Sequence, residues 1–335
     1  MKVLVYFQPN AKRDVFEGAR MRKTIKGALE VADIQYTSNL YDYYDIAHFM
    51  SPDDEGKINI ALEKGVPVVV SALFGENDPS SRFIIYRRSK DGKKVPQLKQ
   101  KALRMMNKAS MVLVPSNAAK KFLVENGVIR PVEVVVPGVN LARFSFSRSD
   151  EKELFYRYFR EDKNKKLILA LGEYSSKMEG IGALLDVAKS RDDVIVYFVG
   201  PETSPKLINR ISKKVPKNVH FISITHDDIY RSMLLNAAIF MYPGYRLAGL
   251  LSLEEAMAAN CQLIVRKSAI FPDFIKNEKT GYIAEYSETL TALVGEYLDG
   301  KLTPTTAQAY EKVSTYNLQQ YGTKLLTIYS ALIRR

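Results

Sequence analysis

Ile239-Phe-Met-Tyr-Pro-Gly-Tyr-Arg-Leu-Ala-Gly-Leu-Leu-Ser-Leu-Glu-Glu-Ala-Met-Ala-Ala-Asn-Cys-Gln-Leu-Ile-Val265 reads as a strand, a loop, a helix starting near Ser252 and a second strand. The loop leaves the carboxyl end of a strand and enters a helix N-terminus, where backbone N–H groups favour phosphate. The same alternation runs outward from this stretch. Residues 166–171, 194–199, 238–242, 262–265 and 282–284 are short apolar runs, and residues 2–7, 45–49, 67–71, 111–115 and 132–136 repeat the scheme upstream. Amphipathic segments at 17–31, 96–109 and 118–126 lie between the upstream runs. Strands this apolar, separated by helices, predict parallel sheets covered on both faces. The architecture expected is α/β, with two doubly wound, Rossmann-like domains.

A length of 335 residues suits two domains. The boundary is expected after the turn Pro137-Gly138, where the charged segment 147–165 carries Leu154 and Tyr158 at the spacing of a linking helix. This gives domains at 1–144 and 145–317. The closing stretch 307–335 reads as helical throughout, its last part (about 318–335) packing back on the first domain. The single cysteine, Cys261, forms no internal disulfide and suits a reducing compartment. No signal peptide is recognisable, and no apolar run approaches the ~18 residues that span a bilayer. A cytoplasmic protein, at most peripheral on the membrane, is the expectation.

Lys and Arg outnumber Asp and Glu by 49 to 37, for a net charge of +12. Most of that excess falls in one window, where Arg82, Arg87, Arg88, Lys90, Lys93, Lys94, Lys99, Lys101, Arg104 and Lys108 are opposed only by Asp91. Phe83, Ile84, Ile85 and Tyr86 lie among them. An amphipathic basic segment can rest on an anionic bilayer, each cation adding about 1 kcal/mol. It can equally be a solvated loop and helix face. Nucleic acid is the less favoured partner, because no nucleic-acid-binding motif accompanies the charge.

Several chemistries are excluded. His48 is far from His220 and His226, and none of the three stands in a zinc-type spacing with Cys261. Cys261 sits in an apolar run, as an inert thiol does. There is no P-loop, and no G-x-G-x-x-G follows the first strand.

The Ile239–Val265 stretch resembles the nucleotide-sugar site of retaining GT-B glycosyltransferases of family 4, whose pattern places a Glu, seven residues, and then Glu-Ala-Met-Ala before a short strand. Further fragments in the family's order support the resemblance. They are Glu17-Gly18-Ala19-Arg20, Tyr43-Tyr44-Asp45-Ile46-Ala47-His48-Phe49, Val114-Pro115-Ser116 with Lys120-Lys121-Phe122-Leu123, Val136-Pro137-Gly138-Val139-Asn140-Leu141-Ala142-Arg143-Phe144, and Asp273 to Tyr282. The length and the short first domain are most similar to Gram-positive enzymes that glycosylate diacylglycerol. The resemblance implies two domains facing across a cleft. It also implies a hexose passed from a nucleotide sugar, with retention, to a lipid or membrane-associated acceptor, with no metal and no other cofactor. On the donor side it points to Gly172, Lys177, Tyr245, Arg246, Ser252 and Glu255, with Glu255 at the ribose, and on the acceptor side to Gly18, Arg20, Ser71 and Phe74.

The departures cluster on functional positions. Leu247 stands where the family has a sugar-binding Glu, and Leu accepts no hydrogen bond. Glu173 and Glu179 occupy the places of two cations that neutralise the donor diphosphate. Ser71 or Ala72 replaces a His near the reaction centre, and the acceptor loop keeps only Gly18. These losses imply an alternative: an inactive pseudo-glycosyltransferase that serves as subunit or scaffold of an active one.

Overall fold

The computed structural model describes residues 1–7, 15–73, 83–89, 91–145, 148–171, 181–200, 215–223, 226–243, 250–267 and 274–334. The chain divides into two compact units. One comprises Met1–Lys12, Ala19–Gly138 and Tyr316–Arg335, and the other Arg13–Gly18 and Val139–Thr315.

Strands of the first unit are β1 (Lys2–Tyr6), β2 (Gln35–Thr37), β3 (Ile46–Phe49), β4 (Val68–Ser71), β5 (Ile84–Arg88), β6 (Lys94–Leu98), β7 (Met111–Val114) and β8 (Val132–Val134). Six form a parallel sheet in the order β2-β1-β3-β4-β7-β8. Every residue of β3 and β4 is buried, as expected where helices cover both sheet faces. Helices Val15–Val31, Glu55–Glu63, Gln100–Lys108 and Asn117–Glu125 supply the cover. Ser116 caps the last of these, its Oγ accepting from the Ala119 N–H at 3.1 Å.

The second unit holds β9 (Lys166–Leu171), β10 (Val194–Val199), β11 (Val219–Ile222), β12 (Ala237–Tyr242), β13 (Gln262–Arg266) and β14 (Tyr282–Ala284). Their parallel order, β11-β10-β9-β12-β13-β14, is the 3-2-1-4-5-6 order of dinucleotide-binding folds. It switches direction between β9 and β12, and ligands bind outside the carboxyl ends of strands at such a point. The α/β reading from sequence is therefore correct, with two Rossmann-like halves.

Three local expectations need correction. Residues 96–109 are not one helical segment: 96–98 belong to β6, which pairs antiparallel with β5 from Ile84↔Leu98 to Arg88↔Lys94. Gly92 turns this hairpin in the left-handed region (φ 75°), and Pro96 is tolerated because β6 has one strand neighbour among the described residues. The linking helix is shorter than 147–165, running Ser149–Phe159 and ending at Arg160 with φ 56°. The closing stretch is two helices, Thr306–Ser314 and Leu318–Ile333, broken where the Asn317 side chain accepts from the Gln320 N–H at 2.9 Å.

The last helix is seated closely in the first unit. A Cβ on Gly322 would lie 2.2 Å from the Ala28 carbonyl oxygen, and one on Gly138 would lie 2.6 Å from that of Asn317. Only glycine permits both approaches. Among the described residues, no helix is long and apolar enough to cross a membrane.

Candidate functional site

Two polar clusters stand out among the described residues, one in each unit, each built on a buried side chain. In the second, the helix Leu250–Ala258 is buried along its whole length, Glu254 and Glu255 included. Ser252 lies in its first turn with 1% exposure, and Glu255 is 3% exposed. An ionised carboxylate at that depth needs a counter-charge. Arg143 provides one, its Nη1 lying 3.8 Å from Glu255 Oε1. The same guanidinium meets Asp227 more closely, with Nη2 at 2.8 Å from Oδ1 and 2.9 Å from the backbone oxygen. Arg231 fixes this arrangement from behind, since its Nε donates to the Arg143 carbonyl and its Nη1 lies 2.8 Å from Glu151.

Sequence reasoning found Glu255 through its motif. Arg143 lies in the linker fragment with nothing in the sequence to mark its role, and Asp227 carries no sequence signal. Asp227 lies 84 residues from Arg143 and meets it only through the fold. Gly172, Lys177, Tyr245, Arg246 and Leu247 lie outside the described residues, as do Glu173 and Glu179.

In the first unit His48 is fully buried on β3. Its Nδ1 is 2.6 Å from Tyr329 Oη, and its Nε2 is 2.8 Å from Ser71 Oγ. Burial pushes the imidazole pKa down to about 3, so the ring is neutral, with one nitrogen donating and the other accepting. Burial pushes the Tyr329 phenol well above its ordinary range. Ser71, at the carboxyl end of β4, is thus engaged by His48 and only 3% exposed. Arg20 is buried at 4%, and Gly18 lies in the first turn of Val15–Val31. Phe74 lies outside the described residues.

The basic window divides by geometry. Arg87 and Arg88 are exposed on β5, and Lys93, Lys99 and Lys101 are exposed nearby. Ile85, Tyr86 and Val95 of the hairpin are also exposed. Arg104 and Lys108 instead turn to Glu55, at 3.4 and 2.9 Å. Arg82 and Lys90 are outside the described residues, and Lys94 is placed on β6 by its backbone alone.

Two Rossmann-like halves, the second with a buried carboxylate in the helix that follows its switch-point strand, define the class: this is the GT-B fold of glycosyltransferases. Residues 152–313 match the profile of the glycosyl transferases group 1 family, so the chain carries that family's domain. Over 339 residues the chain is 21% identical to the processive diacylglycerol alpha-glucosyltransferase of Acholeplasma laidlawii, covering 100% of this chain and 99% of that one. Among solved structures, a glycosyltransferase from Rickettsia africae matches with TM-score 0.74 and 17% identity, covering 100% and 99% of the two chains. The HepE protein of Anabaena, solved with UDP and glucose, matches with TM-score 0.71 and 14% identity over 99% of this chain and 100% of that one. Sucrose-phosphate synthase of Thermosynechococcus elongatus gives 0.73 and 12% over 100% and 99%. At such identities the structural likenesses bear on the fold alone.

Proposed function

We propose that this protein transfers a hexose from a nucleotide sugar, with retention, to a lipid or membrane-associated acceptor on the cytoplasmic face of a membrane. The observation that carries the reading is Glu255, a buried carboxylate with the Arg143 guanidinium 3.8 Å away, in a unit that carries the group 1 domain. In this role Glu255 accepts hydrogen bonds from the donor ribose. The helix N-terminus around Ser252 and Lys177 face the diphosphate, and Tyr245 and Arg246 lie beside the sugar. Gly18, Arg20 and Phe74 belong to the acceptor side, whereas Ser71 is buried and taken up by His48. The end-to-end alignment with a diacylglycerol glucosyltransferase supports a lipid acceptor. The hairpin of β5 and β6, apolar and basic side chains interleaved, provides the contact with anionic lipid.

The test is transfer of radiolabelled hexose from UDP- or GDP-sugars to diacylglycerol in anionic vesicles, with the anomeric configuration of the product read by NMR. Charge-assisted hydrogen bonds are worth about 1.5–3 kcal/mol each, so Glu255→Ala should lower turnover at least about tenfold. Absence of transfer from every donor would contradict the proposal.

Leu247, Glu173 and Glu179 favour a second reading, a non-catalytic partner of an active glycosyltransferase. Losing preorganised contacts to a leaving diphosphate typically costs about 10²–10³ in rate. Under this reading, native purification brings down a family member that has both motif glutamates.

A further inference from the structure

We propose that Arg143 is a positioning residue for Glu255, fixing the orientation of the carboxylate by charge. The inference rests on Glu255 binding the donor ribose, and it extends that reading to the segment Ala142–Ser145 and to Asp227.

The geometry is unequal. Asp227 takes Arg143 Nη2 twice, through its side chain at 2.8 Å and its backbone oxygen at 2.9 Å. Arg231 holds the Arg143 carbonyl, and the guanidinium carbon lies 5.6 Å from the Phe144 ring centroid. Tethered on these sides, the guanidinium stays short of Glu255. Its Nη1 is 3.8 Å from Oε1, beyond hydrogen-bond length yet close enough for strong charge attraction in a buried setting. Loss of Arg143 would leave a buried carboxylate without this counter-charge. Asp227 therefore acts as the anchor that fixes the Arg143 guanidinium beside Glu255.

A double-mutant cycle on the full chain tests this, with UDP and GDP each titrated by ligand-observed NMR, which reads millimolar dissociation constants. Arg143→Met should weaken the tighter-binding nucleotide about tenfold in the wild-type background and less than about twofold beside Glu255→Gln, because residues acting through one another are not additive. Asp227→Asn, which preserves volume, should weaken binding in the same background-dependent way. It also supplies the cycle should Arg143→Met not fold. Equal weakening in both backgrounds would assign Arg143 a merely structural role and overturn the inference alone. Failure of the unaltered protein to bind either nucleotide would overturn the ribose reading and the inference together.

Discussion

In the first unit His48 commits both ring nitrogens, to Ser71 and Tyr329, whereas in the second unit Arg143 commits itself to Asp227 and stands off from Glu255 at 3.8 Å. The first cluster is buried throughout, while in the second Glu255 is buried and Arg143 and Asp227 are half-buried; both join elements far apart in sequence. The first is neutral and its imidazole is fully satisfied, so burial costs it little and His48 has no donor or acceptor left for a ligand. The second is charged, and its central contact is an ion pair without a hydrogen bond. A closed neutral cluster stabilises a fold, while a charged one held apart is suited to binding. Ser71, where the family often has its His, belongs to the closed kind.

The comparison breaks most severely at the seat of the closing helix, which brings Tyr329 to His48. Gly322→Ala puts a methyl 2.2 Å from the Ala28 carbonyl, and such overpacking should cost about 3 kcal/mol, read as a lowered thermal midpoint. Tyr329→Phe is next. It strands one His48 nitrogen in the core, and about 2 kcal/mol should be lost in denaturant titration while nucleotide affinity is unchanged.

Acid sharpens the contrast further. The folded imidazole has a pKa of about 3 against an ordinary 6.5, so between those values the unfolded chain binds the extra proton. The stability tied to His48 is fully present above pH 6.5 and is lost as pH falls toward 3. His48→Gln should flatten that slope in pH-dependent urea unfolding, and an unchanged slope would mean that His48 is not the titrating group. The smallest stability effect belongs to the hairpin. Reversing Arg87, Arg88 and Lys93 to Glu should move stability by no more than about 0.5 kcal/mol per substitution, because exposed side chains contribute little. The same variant should no longer sediment with anionic vesicles, and equal sedimentation of both proteins would remove the lipid surface from the account.

The fold was legible where burial is two-sided. Strands β3, β4, β9, β10 and β12 are apolar runs whose composition leaves little choice. Two edge strands, β8 and β14, were legible as the runs 132–136 and 282–284, whereas β2 (Gln-Tyr-Thr) and β11 (Val-His-Phe-Ile) were not, each being short and interrupted by polar side chains. The β5–β6 hairpin escaped because four of the five residues of β5 are exposed, so no alternation marks a buried face. At the candidate site, Glu255 was legible because a local motif carries it. Arg143 was visible only as part of a linker, and the His48–Tyr329 bond spans 281 residues, a distance over which local patterning carries no signal.

Calorimetric titration of the full chain with UDP, GDP and their common sugar conjugates tests most directly whether the second unit is a working nucleotide site. The account predicts micromolar binding of one nucleotide family, weakened about tenfold or more by Glu255→Ala through loss of the ribose contacts. Millimolar or absent binding of every donor, or binding indifferent to Glu255, would contradict it.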